Sequence, residues 1–154
     1  MSFLLEISSL LEDTNDFIAN SSNFVSYILH NIENINWVGF YFDNQKELIL
    51  SVFAGKPACI KIPYNKGVCG YAFSKKTIVK VDDVHSFKGH IVCDTASKSE
   101  LVIPIFYNDR VIGVLDIDSP VYSRFDEDLV ELMNNALNIL ISKSDLTKII
   151  NYYD

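Results

Sequence analysis

"ELVIPIFYNDRVIGVLDID", residues 100–118, decides the fold. Two apolar, β-branched runs lie on either side of Asn108-Asp109, a dipeptide suited to a tight turn, and predict an antiparallel hairpin in the middle of the fold. Alternation along the second arm puts Asp116 and Asp118 on one face and Ile117 on the other. Counting outward from the turn brings residue 100 beside residues 117 and 118. Glu100, Asp116 and Asp118 then share one rim, where clustered carboxylates raise one another's pKa and can hold a proton at neutral pH or grip an ammonium group. The same spacing also suits a solvated sheet end whose acids do nothing.

Outward from the hairpin, "NWVGFYF" (36–42) and "ELILSVFA" (47–54) flank the turn-prone Asp43-Asn44 and predict a second hairpin. "ACIKI" predicts a third strand, containing Cys59 and ended by Pro63, and a short helix follows near Val68 to Ser74. "TIVKV" reads as a short strand, and the segment Asp82 to Ser99 as a long loop of the kind that carries function or is mobile. Apolar residues at three- and four-residue spacing predict helices over Phe3–Leu11, over Phe17–Ile32, and from Phe125 to about Ile149. Asp126, Glu127 and Asp128 stand at the entrance of the last one, where acids favour the helix dipole. Helices flanking a mostly antiparallel sheet make an α+β domain, expected to span residues 1–154 as one unit.

Hydrophobic residues make up 49% of the chain and charged residues 21%, without low-complexity blocks, which excludes a linker-like or disordered architecture. A net charge of -7 with no Lys/Arg-rich stripe weighs against a nucleic-acid or anionic-membrane surface. The N-terminus has no basic region ahead of a continuous apolar run, so a cytoplasmic address is expected. In a reducing compartment, Cys59, Cys69 and Cys93 are a poor disulfide framework and better candidates for chemistry.

Taken singly, each cysteine also fits a small buried hydrophobe, and Cys59 in its strand fits that well. Cys69 follows Gly67-Val68 at a loop-to-helix junction, where the dipole is expected to lower a thiol's pKa. Cys93 lies in the long loop, the better place for a nucleophile. The cysteines are too far apart for a zinc knuckle; His85 and His90 leave a metal formally possible, but neither a metal nor a cofactor is expected. Trp37, a core filler on composition alone, could instead offer its indole face to a ligand methyl or thioether.

"NWVGFYF", "GKPACI", "GKGVCG", "DVHSFKGHIVCDTASKSELVIP" and "GVLDIDSP" followed by "FDEDL" stand in the order and spacing of the free methionine-(R)-sulfoxide reductases, which the chain resembles from about Asn36 to Leu129. Tyr71 and Lys88 depart from that pattern, standing in place of a smaller residue and a proline. The resemblance implies a GAF fold with helices packed on one face of an antiparallel sheet and a pocket covered by the cysteine-bearing loops. It also implies Cys93 as nucleophile and Cys59 and Cys69 as the thiols able to form a disulfide with it. Trp37 would pack on the substrate methyl, Tyr41, Glu100, Asp116 and Asp118 would bind substrate, and Glu100 or Asp118 would donate the proton. The backbone around Ile91, Val92 and Cys93 is expected to take the substrate's carboxylate. Free methionine sulfoxide as substrate, thioredoxin as reductant and a possible homodimer complete the expectation. A non-catalytic GAF small-molecule sensor and a thiol redox switch are the competing readings.

Overall fold

Along β1 (Trp37–Asp43), Val38, Phe40 and Phe42 point to one side of the sheet and Trp37, Gly39 and Tyr41 to the other. Nearly the whole strand is buried, because both faces are covered. The computed structural model describes residues 2–91, 93 and 95–154. Among them the chain runs α1 (Phe3–Leu10), α2 (Phe17–Asn31), β1, β2 (Leu48–Gly55), β3 (Lys61–Ile62), α3 (Gly67–Lys75) and β4 (Val79–Val81). A 3-10 turn at Val84–Ser86 precedes β5 (Ser99–Tyr107), β6 (Arg110–Ser119), α4 (Glu127–Lys143) and α5 (Thr147–Tyr153). The strands form one antiparallel sheet in the order β3-β2-β1-β6-β5-β4.

The central hairpin forms as its sequence predicts. Asn108 and Asp109 both adopt positive φ, 50° and 65°, the backbone a two-residue turn with the right twist demands. A register irregularity between Ile105 and Phe106 leaves Glu100 opposite Asp118, in agreement with the count from the turn.

Helices α1, α2, α4 and α5 cover one face through Ile7, Phe24, Ile28, Met133, Leu137 and Ile149, packed on Val38, Phe40, Leu101, Ile103, Leu115 and Ile117. Each large side chain removed from water there contributes roughly 1.5–3 kcal/mol. Helix α3 departs from the expected one-sided arrangement. Its Val68, Cys69 and Ala72 pack on the opposite face against Tyr41, Val102 and Val114, since these apolar positions alternate outward from the first core.

Two other expectations are corrected. "ACIKI" pairs only at Lys61 and Ile62, and Cys59 lies in the loop before β3, pulled over the sheet face by a hydrogen bond from the Tyr41 hydroxyl to its carbonyl (2.8 Å). The last helix is two helices, because Asp145 diverts the backbone. Its N–H donates to the Asn15 carbonyl (2.8 Å), and its carboxylate accepts from the Thr147 N–H (2.9 Å), starting α5. Side-chain caps open the other long helices, Asp16 on the Ala19 N–H and Asp126 on the Leu129 N–H. No helix among the described residues is long and apolar enough to cross a membrane.

Candidate active site

Register builds the floor of the site. Trp37 of β1 faces Asp118 of β6, which faces Glu100 of β5, so one row across three strands carries an indole and two carboxylates. The row below carries Gly39 opposite Asp116. Trp37 lies flat over Gly39, where a Cβ would collide with the indole and with Phe53. Its ring stacks between Phe53 (5.4 Å) and Tyr41 (6.0 Å), and its Nε1–H donates to the Lys56 carbonyl (3.0 Å). The roof comes from Pro57 and Ala58, the first turn of α3, and the segment containing His90, Ile91 and Cys93. Between them is a pocket with about 540 Å³ of free space, counting its open mouth.

Of the residues singled out in the sequence, Trp37, Tyr41, Cys69, Ile91, Cys93, Glu100, Asp116 and Asp118 all line this pocket. Val92 lies outside the described residues. Cys59 and Cys93 are joined by a disulfide with Cα atoms 5.3 Å apart, which closes the roof. Cys69 is a buried free thiol. Of the two partners the resemblance implied for Cys93, Cys59 is the one bonded to it here.

Burial sets the electrostatics. It raises the Glu100 carboxyl above its ordinary range, while hydrogen bonding to Asp116 and Cys69 pulls the other way. Burial, reinforced by Asp118 and Glu100, raises Asp116 well above its usual value. Asp116 is 6% exposed, and its Oδ1 has no hydrogen-bond partner that an ionised carboxylate could use. A proton resolves this, since protonated Asp116 can donate to its acidic neighbours. The Tyr41 phenol is likewise pushed up, first by burial and then by Asp116.

The expected activation of Cys69 by its helix is overturned. Its Sγ lies 3.8 Å from Glu100 Oε2, and burial together with Asp116 and Glu100 holds the thiol well above its ordinary pKa. Desolvation and negative charge outweigh the helix dipole. Cys69, Glu100 and Asp116 present donor atoms within 4.8 Å of one another, the set among the described residues that could hold a small cation.

Sequence reading missed Ser97, which is buried in the pocket wall and accepts a hydrogen bond from Asn36 Nδ2 (3.3 Å). Nothing in "TASKS" marks it, because its partner Asn36 is far away in the sequence. His90 enters as a rim residue, its Nε2 4.0 Å from Glu100 Oε1. Burial and His85 lower its pKa, so its ring is neutral at pH 7.

A family model described as the GAF domain matches residues 20–140. The free methionine-R-sulfoxide reductase of Escherichia coli is 43% identical over 124 residues, covering 80% of this chain and 75% of that protein. The yeast protein of the same name, from Saccharomyces cerevisiae, is 42% identical over 148 residues, covering 86% and 82%. The fRMsr of Staphylococcus aureus in complex with substrate superposes with a TM-score of 0.86 at 47% identity, covering 92% of this chain and 93% of that one. Similarity of this extent, on a fold with the same sheet and flanking helices, places the chain: it belongs to the free methionine-R-sulfoxide reductase family of GAF-domain proteins.

Proposed function

We propose that this chain, acting as a single GAF-like domain over residues 1–154, reduces free methionine-(R)-sulfoxide to methionine. The observation that carries the reading is the Cys59–Cys93 disulfide in the same pocket as a carboxyl group held protonated by burial. Relatives named for this reaction, one of them solved with substrate, support it.

The sulfoxide oxygen leaves sulfur readily only when protonated. In the proposed cycle the Cys93 thiolate attacks the sulfoxide sulfur while the buried acid set delivers a proton to the oxygen. Glu100 or Asp118 is the donor, and protonated Asp116 resupplies it across the hydrogen-bonded cluster. Oxygen passes to Cys93 as a sulfenic acid and methionine departs. The Cys59 thiol then displaces the sulfenic oxygen as water and forms the disulfide, which thioredoxin reopens. Trp37 packs on the substrate methyl and the phenol ring of Tyr41 walls the pocket beside it. Whichever of Glu100 and Asp118 is not the donor pairs as a carboxylate with the ammonium, and the backbone around Ile91 and Cys93 takes the carboxylate. A site that grips both charged ends excludes methionine inside a peptide, because an amide would leave a buried carboxylate without its cation.

The chemistry requires Cys93 reduced, which suits a cytoplasmic setting. A homodimer through α1 belongs to the same reading, since Leu5 and Leu10 are 61% and 39% exposed there. Separated R and S epimers of free methionine sulfoxide, incubated with the protein and dithiothreitol, test the activity. Methionine should form from the R epimer and not from the sulfoxide within a blocked peptide. No methionine from either epimer overturns the reading and leaves a sensor or a redox switch.

A further inference from the structure

Reopening the Cys59–Cys93 disulfide takes a dithiol from outside the chain, and the stretch that supplies Cys59 differs in charge from the rest of the protein. The chain carries a net charge of -7, yet every charged residue between positions 56 and 81 is a lysine. Lys56, Lys61 and Lys66 stand five residues apart and form no stripe in the sequence. Folding gathers them. The Gly67 N–H donates to the Gly89 carbonyl (3.0 Å), which sets the Lys66 backbone beside that of Lys88, and the disulfide ties the Lys56–Lys61 loop to the segment that follows. All four of these lysines are exposed.

Large apolar side chains are exposed in the same lysine-bearing stretch. Ile60, between Cys59 and Lys61, is 63% exposed. Tyr71 on α3 is 40% exposed and meets Phe87 edge to face at 5.8 Å. Exposed apolar side chains among charged ones have the composition of a protein contact surface.

Resting on the reductase reading above, we propose that this face docks an acidic dithiol protein, with Ile60 as its apolar contact and Lys56, Lys61, Lys66 and Lys88 as its electrostatic guide. Opposite charge steers the encounter and fixes orientation, and the effect weakens as salt screens it. Cys93 lines the pocket and Cys59 does not, so the partner's thiolate attacks Cys59 Sγ. The S–S bond breaks, Cys93 leaves as a thiolate, and a mixed disulfide forms at Cys59. The partner's second thiol then displaces Cys59, and two electrons and two protons have passed from the partner to this chain. Attack at this sulfur releases Cys93 first, in the form the proposed cycle uses.

Turnover driven by an acidic thioredoxin, with its reductase and NADPH, should be compared with turnover driven by the neutral reductant dithiothreitol. The double variant Lys61→Glu/Lys88→Glu should raise KM for thioredoxin about tenfold, and Ile60→Asp by a similar factor. Rates with dithiothreitol should stay within twofold of the parent. KM for thioredoxin should also climb as salt is raised, with less climb in the double variant. Equal thioredoxin KM in all three proteins at every salt concentration overturns the docking surface, as does a disulfide that dithiothreitol opens and thioredoxin does not. Titrating free thiols after thioredoxin treatment reads docking without substrate. A failed methionine assay with normal charge-dependent thiol release therefore rejects the activity and keeps the surface.

Discussion

At the scale of single residues, the three cysteines have separated into different chemistry through their surroundings. Cys59 and Cys93 are bonded and half-buried, whereas Cys69 is 3% exposed, and burial, with Asp116 and Glu100 beside it, pushes its thiol pKa well up. A protonated, buried thiol is a poor nucleophile. Cys93→Ser is therefore expected to abolish methionine formation, with loss of at least about a thousandfold in kcat. Cys59→Ser should allow one turnover and then stall, while Cys69→Ala should sustain multiple turnovers at a rate near the parent; quenched single- and multiple-turnover assays distinguish the three. Asp116 is the second residue whose environment decides its role. Asp116→Asn keeps the shape and removes the stored proton, so kcat should fall at least about tenfold and the alkaline limb of the pH–rate profile should change.

At the scale of elements, the hairpin β5–β6 converts sequence spacing into a site by fixing register. Its turn residues were readable because positive φ at two successive positions selects Asn and Asp over most residues. Asn108→Val puts a β-branched residue in the left-handed region and should cost about 1–2 kcal/mol of stability in denaturant titration. The carboxylate row lies at the far end of both strands, so KM of the folded fraction should not change. Gly39 shows the opposite coupling. A methyl there meets the Trp37 indole and Phe53, and the indole must lift into the pocket. Gly39→Ala should raise KM severalfold while leaving the thiol chemistry intact. The glycine was visible in "NWVGFYF", but its function was not, because the reason for it is the ring of a residue two positions earlier.

At the scale of the whole molecule, stability and pH are linked through the buried acids. Asp116 keeps its proton in the folded state to higher pH than in the unfolded chain, where the value is near 3.8. Its contribution is complete below that value and is lost as pH rises through the folded pKa, and Glu100 acts in the same direction from 4.5. Melting temperature should therefore decline from mildly acidic toward alkaline pH, and Asp116→Asn should flatten that decline. The disulfide acts on the unfolded state. Cys59 and Cys93 are 34 positions apart, and closing such a loop stabilises by at most about 4 kcal/mol in the chain-entropy account. Reduction should lower the melting temperature of the parent and leave that of Cys59→Ser unchanged.

The sequence by itself determined the antiparallel hairpin, the shared rim of Glu100, Asp116 and Asp118, and the flanking helices, because turn chemistry and alternation are local and the register follows by counting. Tertiary structure alone decided which cysteine pairs with Cys93, that burial raises the Cys69 thiol's pKa, and that the chain beside Lys66 meets the chain beside Lys88. Those outcomes depend on burial and on distances between segments far apart in the chain, and neither quantity exists until the chain has folded.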